Sequence, residues 1–358
     1  MMSQQGCAKH PTVRCTEYET VLFSDDHTSE GFLAPLCDGR ILLVFRLDPG
    51  LAGNHVGTNA YIARMAYDPR RDAWGEVEPV YDSHQYDDRN IHGGATRDGR
   101  IVAFFRHYDG RETQGRCVMH SDDGGQTWSQ PRLAGALRGV QGTGQMFYNP
   151  DIDRYCILQY ERHRNEILYS PDGVTWQESR LVAKDPNVEL TEIAGAWCGD
   201  GRIVALIRDD TRERGHPLLQ VVSRDNGKTW SRPCATNMPP DQHWGCAPQL
   251  IYDPKHHLLI AITSDRYFRP DAENRLYIYT ARPEDILDDP GNWTLQHALP
   301  RPWATERYSG RRPLNSNLYG YPSVAPISED EYLVVFTERA RMEGTEQADL
   351  ICFRVTLE

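Results

Sequence analysis

The sequence lacks the features that mark membrane-spanning and nucleic-acid-binding chains. Its longest apolar runs, such as residues 41–45 and 332–336, are far shorter than the roughly 18 residues of a membrane-crossing helix. Lysine and arginine number 39 against 51 aspartates and glutamates, which gives a formal charge of −12. No broad basic surface is therefore available for a phosphate backbone. We expect neither a membrane nor a nucleic acid as a partner.

The sequence also lacks an apolar segment behind its first charges, so its N-terminus does not resemble a secretory signal peptide. A cytoplasmic location is the default expectation, and secretion stays open. The nine cysteines include no Cys-x-x-Cys pair. Cys37, Cys156, Cys198 and Cys246 lie in apolar, strand-like segments, which predicts buried free thiols. The histidines show no metal-ligand spacing, so we expect no metal and no other cofactor.

One unit recurs along the chain: an apolar lead-in, a polar turn that often contains Asp-Gly-Arg, and a β-branched run that ends in a charge. Short β-branched runs on both sides of turn residues are typical of a β-hairpin. Copies are separated by roughly 45 to 75 residues, which leaves room for two further strands, as in a four-stranded propeller blade. The six copies begin at Gly31, His92, Gly144, Ile193, Gly245 and Tyr321.

A second motif follows some of these hairpins. Residues 121–128 and 223–230 both match Ser-x-Asp-x-Gly-x-Thr-Trp, and residues 170–176 match it with one residue deleted. The Asp carboxylate and the hydroxyl oxygen can accept turn N–H groups, and Gly supplies a positive φ. We expect the Trp to anchor each turn in the apolar layer between neighbouring blades.

The two ends of the chain complement each other. The last hairpin is followed by only one more strand, and residues 16–23 form a strand without a hairpin of their own. We therefore predict an all-β fold, a six-bladed β-propeller of four-stranded antiparallel blades, in which the N-terminal strand closes the ring. Closure removes exposed strand edges. Residues 1–358 are expected to form this single domain.

The Asp-box motif within this repeat pattern resembles the sialidase (neuraminidase) superfamily of BNR-repeat β-propellers, over nearly the whole chain. Sialidases hold the substrate carboxylate with an arginine triad, attack with a tyrosine that a glutamate assists, and use an aspartate as acid and base. A neutral phenol suits a substrate whose carboxylate would repel an anionic nucleophile. The resemblance implies a carbohydrate-active enzyme, a glycoside hydrolase.

Three parts of that site can be matched. Residues 192–208 resemble the family segment in which the assisting glutamate begins an inner strand and a triad arginine ends the next, which implies Glu192 and Arg208. Arg275 resembles another triad arginine, with Arg266 as the alternative. Tyr321 takes the position of the nucleophile, with Tyr319 as the near alternative.

Two parts differ from the family. The first inner strand, residues 28–33, has no arginine where sialidases have one, so Arg46 or Arg89 is expected to supply that charge. In the loop after the first hairpin, Asn54 or His55 stands at the aligned position of the acid/base aspartate. His55, which can titrate near neutral pH, or Asp48 from the same glycine-rich stretch is expected to act instead.

Other polar and aromatic residues are candidates for substrate contact. Trp244, Tyr319 and Trp303 are expected to form an aromatic rim for the apolar face of a sugar. His92 is a further binding candidate. For His92, for His55 and for the pair Asp87 and Asp88, a solvated loop position is nevertheless the base expectation.

The leading hypothesis is a sialidase-like exo-glycosidase that releases a terminal acidic sugar, sialic acid or a related carboxylated sugar. Arg208 and Arg275 would hold the carboxylate, and Tyr321 assisted by Glu192 would attack. One alternative is a polysaccharide lyase that uses tyrosine and histidine on a glycan containing uronic acid. The other is a propeller that binds acidic glycans without catalysis. The expected partner in all three is a carbohydrate.

Overall fold

A computed structural model describes residues 11–50, 55–57, 59–134, 140–141, 144–211, 216–240, 244–265, 275–300, 312–313, 320–341 and 347–358. The chain in these ranges consists of strands and one helix, α1 (Pro283–Ile286). None of the helical structure described is long and apolar enough to span a membrane.

Most strands are arranged in antiparallel groups of about four. Two strands precede the first group, β1 (Val13–Cys15) and β2 (Glu19–Leu22). The first group contains β3 (His27–Pro35), β4 (Ile41–Asp48), β5 (Tyr61–Asp68), β6 (Ala73–Trp74) and β7 (Glu78–Tyr81). The second group contains β8 (Asp87–Ala95), β9 (Ile101–Tyr108), β10 (Thr113–Ser121) and β11 (Arg132–Leu133).

The same order of strands continues to the C-terminus. The third group contains β12 (Val140–Gln141), β13 (Phe147–Asn149), β14 (Arg154–Glu161), β15 (Arg164–Ser170) and β16 (Glu178–Lys184). The fourth contains β17 (Leu190–Trp197), β18 (Ile203–Asp209), β19 (Leu219–Ser223) and β20 (Cys234–Ala235). The fifth contains β21 (Gly245–Asp253), β22 (Leu258–Asp265), β23 (Arg275–Ala281) and β24 (Thr294–Pro300). The last contains β25 (Arg312–Pro313), β26 (Gly320–Pro326), β27 (Glu331–Arg341) and β28 (Gln347–Leu357).

Each predicted hairpin is an antiparallel pair of neighbouring strands: β3 with β4, β8 with β9, β13 with β14, β17 with β18, β21 with β22, and β26 with β27. The N-terminal strands β1 and β2 both pair with β28. A parallel pair, Ala348 with His27, joins β28 to β3, so that the first and last groups form one continuous sheet.

Apolar side chains fill the layers between successive groups. In β9, Phe104 packs with Ile157 of the third group, whereas Phe105 packs with Phe32 of the first. Neighbouring residues of a strand point to opposite faces, so a sheet that is covered on both sides reads as a continuous apolar run. The uninterrupted burial of residues 101–105 follows from this arrangement.

The Asp-box turns have the contacts that the sequence predicts. Asp123 accepts hydrogen bonds from Ser121 Oγ at 2.8 Å and from the Thr127 backbone N–H at 2.9 Å. The hydrogen bond from the Thr127 hydroxyl is the main reason why the pKa of Asp123 falls to about 2. In the shorter copy, Trp176 packs edge-to-face on Phe104 of the preceding group, with 5.3 Å between ring centroids. These boxes therefore stabilise turns and fix neighbouring sheets to each other.

The cysteine prediction holds for three of four positions. Cys156, Cys198 and Cys246 are buried and free. The prediction is wrong for Cys37, which is exposed, because it lies in the turn between β3 and β4 rather than within either strand.

Candidate functional site

The inner strands share a local irregularity near their first residues. In five of them the pairing register shifts by a β-bulge at the same end of the strand. Four of the residues at these bulges have φ between 46° and 54°, a left-handed conformation that is uncommon for residues other than glycine. A bulge turns a side chain away from its regular direction in the ladder, often beside an active site. The residues at the five bulges are Glu30, Asn90, Glu192, Ala247 and Tyr321.

Glu192 connects three of the groups. Its Oε1 accepts hydrogen bonds from Tyr321 Oη at 3.0 Å and from Arg208 Nη1 at 2.9 Å. Its Oε2 accepts the backbone N–H of Ala247 at 2.7 Å. The carboxylate is therefore fixed in place and lies within direct reach of the Tyr321 phenol proton, which is the geometry that a general base requires.

Arg208 is held by more than Glu192. Its Nη2 donates to Asp210 Oδ1 at 2.7 Å, and the guanidinium lies 5.1 Å from the ring centroid of Trp244. Trp244 Nε1 donates to the carbonyl of Asp209 at 2.9 Å, which fixes the indole beside the arginine. Both terminal nitrogens of Arg208 thus contact carboxylates of the protein, and a substrate carboxylate would compete with them.

Tyr160 belongs to the same centre. It lies near the end of β14 and interacts electrostatically with Glu192, Arg106 and Arg208. Burial, reinforced by the negative charge of Glu192, raises the pKa of Tyr160 far above its ordinary value. Its phenol is therefore neutral and can form hydrogen bonds near Glu192, Arg106 and Arg208.

A second set of contacts is formed by the first two groups. Glu30 Oε2 accepts the backbone N–H of Asn90 at 2.7 Å, and Glu30 Oε1 lies 3.6 Å from Arg89 Nη2. The same Arg89 nitrogen lies 3.1 Å from His55 Nε2. Because arginine can only donate, Nε2 accepts, which places the His55 proton on Nδ1 and makes this imidazole neutral.

Charge in this second set is unevenly distributed. Burial alone would raise the pKa of Glu30, but Arg89, Arg46, His92 and the Asn90 N–H together hold it below its ordinary value. Burial lowers the pKa of His92 to about 4, despite the attraction of Glu30 and Glu192. Near neutral pH, Glu30 is an anion and His92 is neutral.

Arg46 has no exposed surface. Its Nε and Nη2 donate to the two oxygens of Asp87 at 2.7 and 3.0 Å, and Asp48 lies 3.5 Å from Nη2. The prediction that Arg46 contacts substrate is wrong, because its guanidinium is enclosed and already bound to a protein carboxylate. The prediction that Asp48 reaches in from the loop is also wrong, since it is the last residue of β4 and is buried.

The expectation of solvated loop positions is wrong for three residues. Asp87 and Asp88 begin strand β8 and have no exposed surface, and His92 is also buried. Asp88 Oδ1 lies 2.8 Å from His107 Nδ1. Although burial opposes the charge of His107, this carboxylate raises the pKa of His107 to about 9. His55 retains partial exposure, with 21% of its side chain accessible.

The structure thus brings Glu192, Arg208, Trp244 and Tyr321 together, and it places His55, Arg89 and His92 around Glu30. For Arg275 the backbone is described as the first residue of β23, but the side chain lies outside the described part. Four further positions named from the sequence, Asn54, Arg266, Trp303 and Tyr319, also lie outside the described residues. Their roles stay predictions.

Sequence reasoning missed Glu30, Arg106 and Tyr160. Alignment of the repeat copies with each other would have found the first two. Glu30 immediately precedes the first copy, as Glu192 immediately precedes the fourth. Arg106 ends the second copy, as Arg208 ends the fourth. Tyr160 has no such signal, because its copy differs in length and ends in Glu-Arg.

Comparison with known proteins agrees with this architecture. The profile of the BNR repeat-like domain matches residues 57–250, more than half of the chain. This chain belongs to the BNR repeat-like family. No curated protein matches it. The resemblance to BNR-repeat proteins that the Asp boxes indicate is thereby confirmed.

Solved structures similar to this BNR repeat-like chain include sialidases. A protein of unknown function from Dyadobacter fermentans is 19% identical with a TM-score of 0.77, covering 97% of this chain and 100% of that one. The NanB sialidase from Streptococcus pneumoniae is 12% identical with a TM-score of 0.64, covering 95% and 70%. The intramolecular trans-sialidase from Ruminococcus gnavus is 10% identical with a TM-score of 0.63, covering 92% and 96%. At these identities the likeness shows a shared, propeller-like sialidase fold.

Proposed function

We propose that this chain is a sialidase-like exo-glycosidase that releases a terminal acidic sugar from a glycan. The observation that supports this most directly is the hydrogen bond from Tyr321 Oη to Glu192 Oε1 at 3.0 Å. A tyrosine with its own carboxylate base is an uncommon pair that suits attack on an anomeric carbon bearing a carboxylate. The bulges at Glu192 and Tyr321 direct both side chains to one point.

The chemistry follows from these two side chains. Tyr321 Oη bonds to the anomeric carbon while the bond to the leaving oxygen breaks, and Glu192 takes the phenol proton. An acid protonates the leaving oxygen. Water then attacks the same carbon, its proton passes to that acid, and Glu192 returns the phenol proton. Of the predicted acids, His55 is favoured over Asp48, because His55 retains more exposed surface at the site. To act as the acid, His55 would first have to bind a proton at Nε2 in place of its contact with Arg89.

We also propose that the chain is one six-bladed propeller domain closed by its N-terminal strand. Pairing of β1 and β2 with β28 supports this closure. Apolar clusters connect each group of strands with the next, and one of them packs Leu333 and Val335 of the last group against Leu33 and Leu43 of the first. In such a ring, the bulged ends of the inner strands would lie around the central axis.

Cleavage of a polysaccharide by β-elimination, as a lyase performs it, is the second candidate function. A neutral His55 is a suitable base for the proton beside a uronate carboxylate once its Nε2 lone pair is released from Arg89, which would then neutralise that carboxylate. A lyase would leave an unsaturated product and would incorporate no water. These properties separate it from a hydrolase in the same experiment.

The test is turnover on a panel of chromogenic terminal sugars that includes sialic acids and hexuronic acids, with acidic polysaccharides followed by ultraviolet absorbance. We expect dye release from an acidic glycoside, and a fall in kcat of more than about a thousandfold in Tyr321→Phe. Tyr252→Phe is the matched control. Tyr252 is a partly buried tyrosine, and its hydroxyl contacts His257 in the turn between β21 and β22.

The outcomes distinguish the candidates. Rising absorbance without dye release would replace the hydrolase with a lyase. If Tyr319→Phe abolished turnover while Tyr321→Phe did not, the nucleophile would be Tyr319. Binding of acidic glycans without any turnover, unaffected by Tyr321→Phe, would indicate a propeller that binds glycans without catalysis.

A further inference from the structure

Arg46, Arg106 and Arg208 occupy the same position in three copies of the repeated unit. Each ends the β-branched run that follows an Asp-Gly-Arg turn, within β4, β9 and β18. Arg46 and Arg208 are both bound by protein carboxylates. Comparison of the three positions therefore isolates what is different about Arg106.

The hydrogen-bond partners of Arg106 are neutral. Its Nε donates to Asn90 Oδ1 at 2.7 Å and its Nη1 donates to Thr113 Oγ1 at 2.9 Å. Within the part of the chain that the structure describes, Arg106 forms no ion pair. Asn90 lies at the bulge of the second unit, where the fourth unit has Glu192. An amide thus replaces the carboxylate that neutralises the equivalent arginine.

Two further arginines flank Arg106 across the sheet. Arg89 of β8 is directly opposite on one side, and Arg116 of β10 is directly opposite on the other. Like charges in cross-strand pairs destabilise a sheet. Glu161 attracts Arg116 from the third group. This row of cations crosses the second sheet from its inner strand outward.

Arg89 has hydrogen-bonding capacity beside Arg106. Its Nε is buried and has no hydrogen-bond partner among the described residues. The nearest contacts to the carboxylates of Glu30 and Asp87 are 3.6 and 3.8 Å, longer than hydrogen bonds. The guanidinium carbons of Arg89 and Arg106 lie 5.5 and 4.9 Å from the centroid of the same ring, Tyr108. The two cations therefore face one small region.

The electrostatic balance at Arg106 favours an incoming anion. Burial, and then the like charge of Arg89, lower the pKa of Arg106, while Tyr160, Glu30 and Tyr108 act in the opposite direction. Glu30 is the carboxylate in this set, and it is already bound by the Asn90 N–H and lies close to Arg89. Burying a guanidinium without a close anion is unfavourable, and an anionic ligand would relieve this.

We propose that Arg106 and Arg89 form the anion subsite of this protein and bind the carboxylate of the terminal acidic sugar. This inference rests on the proposed function and names the residues that select its substrate. The planar guanidinium fork matches a carboxylate with two parallel hydrogen bonds. Arg208, whose nitrogens are used by Glu192 and Asp210, is then a positioning residue for the base.

The surrounding charges also limit the ligand. Glu30 and Asp87 lie 3.6 and 3.8 Å from Arg89, so a second negative charge on the ligand would be repelled by two carboxylates. The subsite therefore suits one carboxylate rather than a polyanion. A neutral sugar of the same shape would gain no charge pair with Arg106.

The test is calorimetric binding of matched probes to Tyr321→Phe, a background in which no ligand is consumed. The probe pairs are methyl β-glucuronide with methyl β-glucoside, and sialic acid with its methyl ester. We expect at least one carboxylate to bind about tenfold or more tightly than its neutral partner, with the difference shrinking as salt is added. Arg106→Gln should abolish this preference, and Arg106→Lys should keep part of it.

Arg132→Gln is the matched control, because Arg132 is an exposed arginine of the same sheet, on β11. It should leave the preference unchanged. Thermal unfolding of the ligand-free variants gives an independent measurement. Removing one cation from the row should leave Tm of Arg106→Gln unchanged or higher, whereas an arginine that the protein itself neutralises would lower Tm when removed.

Two results would overturn the subsite: no carboxylate preference in any probe pair, or a preference that survives Arg106→Gln. These results can be separated from the fate of the proposed function. A preference that depends on Arg106, in a protein without turnover, would keep the subsite and reject the glycosidase. Turnover of an acidic glycoside that is insensitive to Arg106→Gln would do the reverse.

Discussion

The first and fourth units place an arginine at the same repeat position, but they surround it differently. Arg46 is enclosed and bound through two nitrogens to Asp87. Arg208 contacts Glu192, which also accepts a hydrogen bond from the phenol of Tyr321. One arginine therefore neutralises a carboxylate inside the fold, and the other orients a carboxylate toward a nucleophile. The partner supplied by a neighbouring unit decides between a structural and a chemical role.

The largest effect on stability is expected when the enclosed pair of Arg46 and Asp87 is broken. Asp87→Asn removes the carboxylate that two Arg46 nitrogens contact, and it leaves a guanidinium with no exposed surface beside Asp48, which is 3.5 Å from Nη2 and beyond hydrogen-bond length. Breaking a buried ion pair by removing one partner costs about 3 to 5 kcal/mol, so the free energy of unfolding in urea should fall by about that amount. Asp82→Asn, at an exposed pair with His84, should change it by less than about 1 kcal/mol. Equal effects of the two variants would contradict a structural role for Asp87.

The features that could be predicted from the sequence are local ones. A hairpin needs only two apolar runs and a turn, and the Asp box needs a carboxylate four residues before the threonine N–H that it accepts, as in Asp123 and Thr127. Glu192 and Arg208 were found in the same way, because they begin and end one hairpin.

The remaining contacts join residues of different sheets. Arg46 and Asp87 are 41 positions apart, and Tyr321 and Glu192 are 129 apart. No local pattern shows which charges will face each other after the sheets pack. Two adjacent aspartates also look solvated in a sequence, whereas in the structure Arg46 and His107 neutralise the buried carboxylates of Asp87 and Asp88.

A pH titration of stability extends the comparison between units. It tests how much buried charge pairs stabilise the first two groups of strands. Asp88 raises the pKa of His107 to about 9, so the pair stabilises the fold fully below the ordinary pKa of 6.5. This contribution is lost as the pH rises through about 9, a decrease on the order of 2 kcal/mol in the free energy of unfolding.

Urea unfolding between pH 6 and pH 10 measures this decrease. The range includes both the ordinary histidine pKa of 6.5 and the raised pKa of His107, about 9. His107→Gln should flatten the profile over this range. His84→Gln is the control, since the His84 side chain is 82% exposed and pairs with a partly exposed Asp82. A profile that stays equally steep without His107 would assign the pH dependence to other groups.

The smallest effect on stability is expected at the catalytic carboxylate. Glu192→Gln keeps one acceptor oxygen for Arg208 and Tyr321 but loses the acceptor for the Ala247 N–H, while Arg208 keeps its hydrogen bond to Asp210, whose side chain is 30% exposed. We expect the free energy of unfolding to fall by about 1 kcal/mol, well below the effect of Asp87→Asn. Turnover should nevertheless fall by at least about a hundredfold, because a glutamine cannot take the phenol proton.

The two variants together test the division of labour between the units. If Glu192→Gln destabilised the protein as much as Asp87→Asn, the fourth-unit pair would be structural, and the hydrogen bond to Tyr321 would only satisfy a buried phenol. A stable but inactive Glu192→Gln beside an unstable Asp87→Asn would mean that one repeat position serves the fold in the first unit and the reaction in the fourth. The difference then arises from the partner at the bulge and from the phenol across the site, because the arginine itself is the same.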